Sequence, residues 1–184
     1  MFIRRALLAA LFPLLAAAGT TTALAQAQSQ PGAPSQSQAQ QQNFDTQQFQ
    51  SWEVRCPTGG ATAQQRCTMN QVVNNPDSNE PLMRVMVGYP PQADGPVMVF
   101  LLPLGIRLAP GMQLQVDSNE PTGFPFQVCT PQGCRANLPL DANMQQQLRG
   151  GTQATISAIA PDGERLDLNL SLMGFTNASQ RIAP

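Results

Sequence analysis

The chain has 184 residues, and its ten basic residues, all Arg, stand against eleven acidic residues, so the formal net charge is −1. It contains neither Lys nor His. Ser-His-Asp and Cys-His nucleophiles, Ser-Lys pairs, Schiff-base lysines, His-ligated metals and Walker lysines therefore each lack a required residue. A weakly acidic chain without Lys is also unsuited to nucleic acid or to an anionic lipid surface. No catalytic residue, metal, cofactor or nucleic-acid partner is expected.

The first 25 residues have the pattern of a cleaved export signal. Arg4 and Arg5 precede an apolar run from Ala6 to Ala18, and Ala23-Leu24-Ala25 before Gln26 is the small-x-small pattern that signal peptidase cleaves. The alternative is a membrane anchor, but the run is shorter than the ~20 residues that a spanning helix needs. Residues 1–25 are therefore predicted to be a signal peptide that directs the protein to the periplasm or cell envelope, with no membrane span after cleavage.

A glutamine-rich tract follows the signal. Between Gln26 and Gln50, 11 of 25 residues are Gln, and Pro31 and Pro34 interrupt the tract. Such side chains bury too little apolar area to offset the entropy of an ordered chain. Residues 26–48 are predicted to be a disordered linker, and the prolines favour a plain tether over self-association through β-pairing.

Apolar and polar residues alternate in the remaining chain, which indicates β-strands. The clearest case is Leu166 to Leu172, where four leucines share one face of an extended segment. Two denser apolar runs, Leu82 to Val87 and Val97 to Leu102, are interpreted as central strands that are covered on both faces. Turns rich in Pro and Gly recur between these segments, as in an antiparallel protein.

One short helix is predicted near 141–149. Asp141 can cap its N-terminus, Met144 and Leu148 share one face, and Gly150-Gly151 ends it. The fold class expected is all-β, an antiparallel immunoglobulin-like β-sandwich over residues 49–178. Residues 179–184 are expected to form a C-terminal tail.

The four cysteines are Cys56, Cys67, Cys129 and Cys134. An even number of Cys in an exported protein without His indicates two disulfides rather than a zinc site. Three connectivities are possible. Local pairing, Cys56 with Cys67 and Cys129 with Cys134, is favoured because each pair flanks a turn between neighbouring strands.

The acidic candidates for catalysis lie in a repeated pentapeptide, at 77–81 and at 117–121. These acids are Asp77, Glu80, Asp117 and Glu120. As paired carboxylates they are the one candidate for hydrolase chemistry, which needs two carboxyl groups facing each other across a cleft. The favoured interpretation is two solvated loops, because acids before Pro normally face water and EF-hand calcium spacing is not met.

Five sequence landmarks together resemble the invasion-associated locus B (IalB) family of exported bacterial proteins. They are Trp52-Glu53-Val54-Arg55-Cys56, Cys67-Thr68-Met69-Asn70-Gln71, Leu102-Pro103-Leu104-Gly105-Ile106, Cys129-Thr130-Pro131-Gln132-Gly133-Cys134-Arg135-Ala136 and Leu170-Ser171-Leu172-Met173-Gly174-Phe175.

The resemblance implies a disulfide-bonded, immunoglobulin-like sandwich in the periplasm or envelope, without established catalytic activity. It assigns structural roles to six landmark residues: Trp52, Pro103, Gly105, Gly133, Gly174 and Phe175. Members in pathogens have been linked to entry into host cells.

These observations favour a non-enzymatic binding protein whose partner is an unknown envelope or host protein. The alternative is an envelope hydrolase that uses the loop acids, and a purely structural or stress-protective role is the third possibility. A rigid sandwich offers loops and edge strands to a partner, which supports the first.

The signal-peptide interpretation predicts a mature protein that begins at or near Gln26. N-terminal sequencing of the protein recovered from the periplasm tests it. A mature form that keeps Leu7 and Leu8 and stays in the membrane would show that the apolar run is an uncleaved anchor.

Overall fold

The computed structural model describes residues 44–58, 67–75 and 78–184, which include eleven β-strands and two α-helices. The predicted signal peptide, residues 26–43 of the predicted linker and Asp77 lie outside the described residues. The first strands are β1 Phe44–Phe49, β2 Trp52–Pro57, β3 Thr68–Asn74, β4 Pro81–Gly88, β5 Val97–Leu102 and β6 Met112–Val116. The later elements are β7 Thr122–Phe124, β8 Phe126–Thr130, β9 Gly133–Pro139, α1 Ala142–Gly150, β10 Gln153–Ile159, β11 Arg165–Ser171 and α2 Phe175–Ile182.

The described strands form two antiparallel sheets. The large sheet has the order β1-β2-β3-β4-β5-β9-β8, and the small sheet has the order β11-β10-β6-β7. Each sheet contributes one apolar face to a common core. The rings of Phe100 in β5 and Phe124 in β7, whose centroids are 5.1 Å apart, join the two sheets. The predicted antiparallel sandwich is confirmed.

The alternating leucines from Leu166 to Leu172 belong to β11 and to the residue directly after it. In β11, Leu168 and Leu170 are buried and Leu166 is partly exposed, and Leu172 is buried directly after the strand. The hairpin of β10 and β11 pairs from Gln153 with Ser171 to Ile159 with Arg165. Helix α1 also follows the prediction, because the Asp141 carboxylate accepts the backbone N–H of Met144 at 2.7 Å.

The prediction that the dense apolar strands are covered on both faces is wrong for the outer face of the large sheet. In β5, Met98, Phe100 and Leu102 are buried, but Val97 and Val99 are only partly buried. The small sheet packs against the inner face alone, so the outward side chains keep contact with solvent.

Ser171, at the end of β11, ties the two sheets together. The N–H of Leu172 donates to the carbonyl of Thr152 at 3.0 Å, so these two residues form a hydrogen-bonded pair. Bonded and non-bonded pairs alternate along an antiparallel ladder, so the next pair, Gln153 with Ser171, is non-bonded. The N–H and C=O of Ser171 therefore point away from β10. Gln71 of β3 accepts that N–H through Oε1 at 3.1 Å and donates Nε2 to that carbonyl at 2.9 Å. The indole Nε1 of Trp52 donates to the same carbonyl at 3.0 Å.

Trp52 is completely buried and also contacts helix α2. Its ring meets Phe175 edge to face, with centroids 5.3 Å apart. Next to it, the hydroxyl of Ser51 donates to the hydroxyl of Ser171 at 2.9 Å, and the N–H of Ser51 donates to the carbonyl of Met173 at 3.2 Å. Edge-to-face aromatic pairs add to the gain from burial.

The prediction of one helix and a tail from residue 179 is wrong, because Phe175–Ile182 forms α2. Phe175, Ala178, Ser179 and Ile182 are buried at the i, i+3, i+4 and i+7 spacing of one helix face. Thr, Asn and Ser in this segment favour helices only weakly, so the apolar spacing was the available signal. Gly174 starts the helix with φ +89°, and a Cβ there would overlap the carbonyl oxygen of Phe49.

The linker also ends earlier than predicted, because β1 starts at Phe44 and pairs with β2 along its whole length. Five of its six side chains are exposed, so the strand carries no alternation that a sequence pattern could show. Backbone pairing with β2 is what orders it.

Candidate functional site

The structure places the landmark residues in three separate regions. Trp52 and Phe175 meet beside Ser171, and Gly174 precedes Phe175 at the start of α2. Pro103 and Gly105 lie in an exposed loop after β5. Gly133 begins β9 directly after the turn that follows β8, where it has φ +133° and a Cβ would overlap the carbonyl oxygen of Leu102 in β5.

Both disulfides have the local pairing that the sequence favoured. Cys56 is bonded to Cys67 and Cys129 to Cys134. Cys129 and Cys134 are direct partners in the β8–β9 ladder. Each bridge closes a short loop, so each is expected to contribute about 2 to 3 kcal/mol by restricting the unfolded chain.

The exposed loop after β5 contacts the turn of the β10–β11 hairpin. The guanidinium of Arg107 donates to the carbonyl of Pro161 through Nε at 3.3 Å and Nη2 at 3.2 Å. Leu104 and Leu108 of this loop are 57% and 45% exposed. The loop is thus fixed at its base while it presents two leucines to solvent.

The two acidic pentapeptides do not form equivalent loops. In the first copy Asn79 has φ +57°, whereas in the second copy the residue with positive φ is Asp117 at +47°. Glu80 precedes β4 of the large sheet, and Glu120 follows β6 of the small sheet. The two copies of the pentapeptide therefore do not form two equivalent sites.

Asp117 has a structural role in the second loop. One carboxylate oxygen accepts the hydroxyl of Thr152 at 2.8 Å and the N–H of Gln153 at 3.1 Å, and the other accepts the N–H of Thr152 at 3.1 Å. These bonds, led by the Thr152 hydroxyl, lower the pKa of Asp117 below its usual value. A carboxylate whose oxygens are engaged and whose pKa is low is a poor general acid.

A second carboxylate, Asp167, is also engaged within its own sheet. It accepts the Ser157 hydroxyl at 2.6 Å and Nε of Arg165 at 2.7 Å, while Nη2 of Arg165 donates to the Ser157 hydroxyl at 2.8 Å. The Ser157 hydrogen bond, followed by that of Arg165, lowers the pKa of Asp167. Asp167 is therefore a weak base for activating Ser157, and the three groups stabilise the hairpin.

A groove of about 1020 Å³ lies on the outer face of the large sheet, and we call it the outer groove. Its floor comes from β4, β5 and β9, and the loop at 89–95 forms one wall. Its lining includes Met86, Tyr89, Val97, Val99, Arg135 and Asn137. Pockets of this size with a mainly apolar lining and a few polar groups are typical ligand sites.

Strand register arranges the outward residues of this face in rows. Met86, Val99 and Asn137 are direct neighbours across β4, β5 and β9. Two residues further along the strands, Leu101 lies between Arg84 and Arg135. We call this second row the arginine row.

Arg84 and Arg135 differ from the other arginines that the structure describes, because neither guanidinium has a hydrogen-bond or ion-pair partner. Arg55 and Arg165 pair with Glu53 and Asp167. The remaining three described arginines also have acceptors. Two unpaired cations beside an apolar groove form a local positive field on a weakly acidic chain.

Asn137 carries an unsatisfied group in the same groove. Its Oδ1 is shielded from solvent and accepts no hydrogen bond. Such an oxygen destabilises the protein by about 1 to 3 kcal/mol relative to a bonded one. Groups of this kind in native proteins call for an explanation.

Sequence reasoning missed the outer groove. Tyr89 and Asn137 have no role predicted from the sequence, and Arg135 is named only within the landmark around Cys129 and Cys134. The dense apolar runs of β4 and β5 carried the available signal, because apolar residues on a face without a second layer leave a hydrophobic surface.

Two kinds of site are not present among residues 44–58, 67–75 and 78–184. No three His, Cys, Asp or Glu side chains there are grouped so that they could hold a metal ion. No helix in these segments is long and apolar enough to cross a bilayer.

Comparison with known proteins identifies the family. The sequence profile of the invasion associated locus B (IalB) protein family matches residues 52–183. The chain belongs to the IalB family. Two proteins of Brucella abortus named invasion protein B homologues, from strain 2308 and from biovar 1 strain 9-941, are each 31% identical over 140 residues, covering 73% of this chain and 76% of theirs.

A solved IalB structure has the same fold. The crystal structure of invasion associated protein B from Bartonella henselae matches with a TM-score of 0.65 at 24% identity, covering 74% of this chain and 94% of that one. The IalB match begins at Trp52 and extends beyond Ile182, so it includes α2 as well as the strands from β2 onward.

Asp117 gives the IalB-family protein a predictable acid sensitivity. The pKa of the Asp117 carboxyl is lower in the folded protein than in the unfolded chain. The ionised carboxylate therefore stabilises the fold at pH values above its unfolded pKa of about 4. This stabilisation is lost as the pH falls below that value and through the folded pKa. The difference in denaturant midpoint between wild type and Asp117→Asn should therefore shrink between pH 6 and pH 3.

Glu120→Gln is the matched control, because it makes the same change of charge in the same loop without removing a hydrogen bond to Thr152. A midpoint difference for Asp117→Asn that stays constant over this pH range would contradict the assignment.

Proposed function

We propose that this chain is an exported protein of the periplasm or cell envelope that binds another macromolecule and is not an enzyme. The N-terminal pattern supports export, and the outer groove supports binding. The groove is the single observation that carries the proposal, since it combines an apolar floor, the unpaired Arg135 and the unsatisfied acceptor of Asn137, and the unpaired Arg84 lies beside it in the arginine row.

The frame behind the groove suits this function. The strands that form the floor are paired on both sides, β4 between β3 and β5, and β5 between β4 and β9. Their inner residues, such as Val85 and Phe100, are completely buried. A surface held in this way loses little conformational entropy on binding.

The names of the Brucella and Bartonella relatives refer to invasion. Contact with a host cell is therefore one process in which the proposed binding would act, and protection of the envelope under stress is the other. A deletion strain tested for contact with host cells and for survival under envelope stress distinguishes these two processes.

Site-specific photocrosslinking in cells tests the binding function. A photoreactive amino acid at Val99, on the groove floor, should give a discrete crosslinked product. The same amino acid at Asn169, an exposed position on β11 of the small sheet, should not. Changing Met86 to Asp should abolish the Val99 product, because it places a charge on the apolar floor.

Two outcomes would count against the proposal. Equal products from Val99 and Asn169 would indicate random encounters. A Val99 product that survives the Met86→Asp change would indicate contact outside the groove. Circular dichroism of each variant checks that the sandwich remains folded.

A further inference from the structure

We propose that the outer groove binds an extended peptide in which apolar residues are followed by an acidic residue, an assignment that rests on the binding function proposed above. The peptide would lie along the strand direction. Its apolar side chains would contact the floor, and its carboxylate would reach the arginine row.

The apolar part follows from the groove floor. Met86, Val97 and Val99 point outward and are only partly buried, so a ligand that covers them removes apolar surface from water. Val97 and Val99 are two residues apart on β5, which places them about 7 Å apart. An extended peptide repeats its side chains on one face with the same period, so alternate apolar residues match the floor.

The acidic part follows from the unpaired cations. Arg84 and Arg135 lie on either side of Leu101, separated by two strand spacings or about 10 Å. A carboxylate in this row gains charge-assisted hydrogen bonds that the free protein lacks. Asp94 lies in the loop at the opposite end of the groove, beyond Val97, which is four residues or about 13 Å along β5 from Leu101 of the arginine row. Because Asp94 repels a carboxylate and the arginine row attracts one, the acidic end of the peptide is expected at the arginine row.

Asn137 favours a peptide over a fatty acid. Its Oδ1 lacks a donor, and a peptide backbone offers an N–H at every residue that is not Pro. A fatty acid brings an apolar chain and a carboxylate but no N–H. The terminal torsion of Asn is broad, so a small rotation brings the amide oxygen toward a ligand in the groove.

The probe is a fluorescein-labelled peptide of eight residues with Val at positions one, three and five, Glu at position seven and Ser elsewhere. Fluorescence anisotropy at low salt measures its dissociation constant for the full mature protein. A companion peptide with Gln in place of Glu should bind about tenfold more weakly, since it lacks the charge. A third peptide, N-methylated at the valines, removes N–H donors and should also bind more weakly.

Matched variants connect these differences to the groove. Arg84→Gln combined with Arg135→Gln should abolish the preference for Glu over Gln. Arg55→Gln should keep it, because Arg55 lies on the same sheet face but outside the groove and is paired with Glu53. Asn137→Ala should reduce the preference for the unmethylated peptide and leave the preference for Glu intact.

Equal binding of the Glu and Gln peptides would overturn the assignment. A second contrary result would be that sodium dodecanoate binds and its binding depends on Arg84 and Arg135, while the Glu peptide does not bind. The groove would then be a fatty-acid site. A groove-dependent crosslink at Val99 alongside either result would leave the binding function standing. Absence of the Val99 crosslink in the protein with an unaltered groove would instead refute the binding function itself.

Discussion

The hydrogen bonds of Ser171 are the constraint on which the rest of the structure depends. An edge strand exposes backbone groups on its open side, and in β11 the side chains of Gln71 and Trp52 occupy that position at Ser171. Because both come from the large sheet, these bonds also fix how the two sheets meet. The contact between Trp52 and Phe175 extends the junction to α2.

This junction lies on the inner side of the large sheet, which leaves the outer side available for other contacts. Inward side chains such as Met98 and Val85 serve the core, whereas outward ones such as Met86 and Val99 form the floor of the outer groove. The charged residues separate in the same way. Arg165 and Asp167 stabilise the small sheet, while Arg84 and Arg135 remain unpaired beside the groove.

Local patterns in the sequence predicted most of the frame. Alternating leucines located β11, Asp141 located α1, and the turn around Gly133 located one disulfide, because each depends on neighbours along the chain. Strand β1 pairs with the adjacent β2, but its side chains are almost all exposed, so no alternation marks it. The groove depends on partners distant in sequence. Arg135 and Met86 meet the same groove only through the register of β4, β5 and β9, which no local pattern shows.

Hydrogen exchange at the backbone N–H of Ser171 tests the central claim most directly. With Gln71 as its acceptor, this N–H should be about as protected in the wild type as the N–H of Leu170 within the ladder. Gln71→Ala should lower protection at Ser171 by about tenfold or more, while Leu170 stays protected and Asn70→Ala, on the outer face of the same strand, has no effect. Unchanged protection of Ser171 in Gln71→Ala would contradict the account.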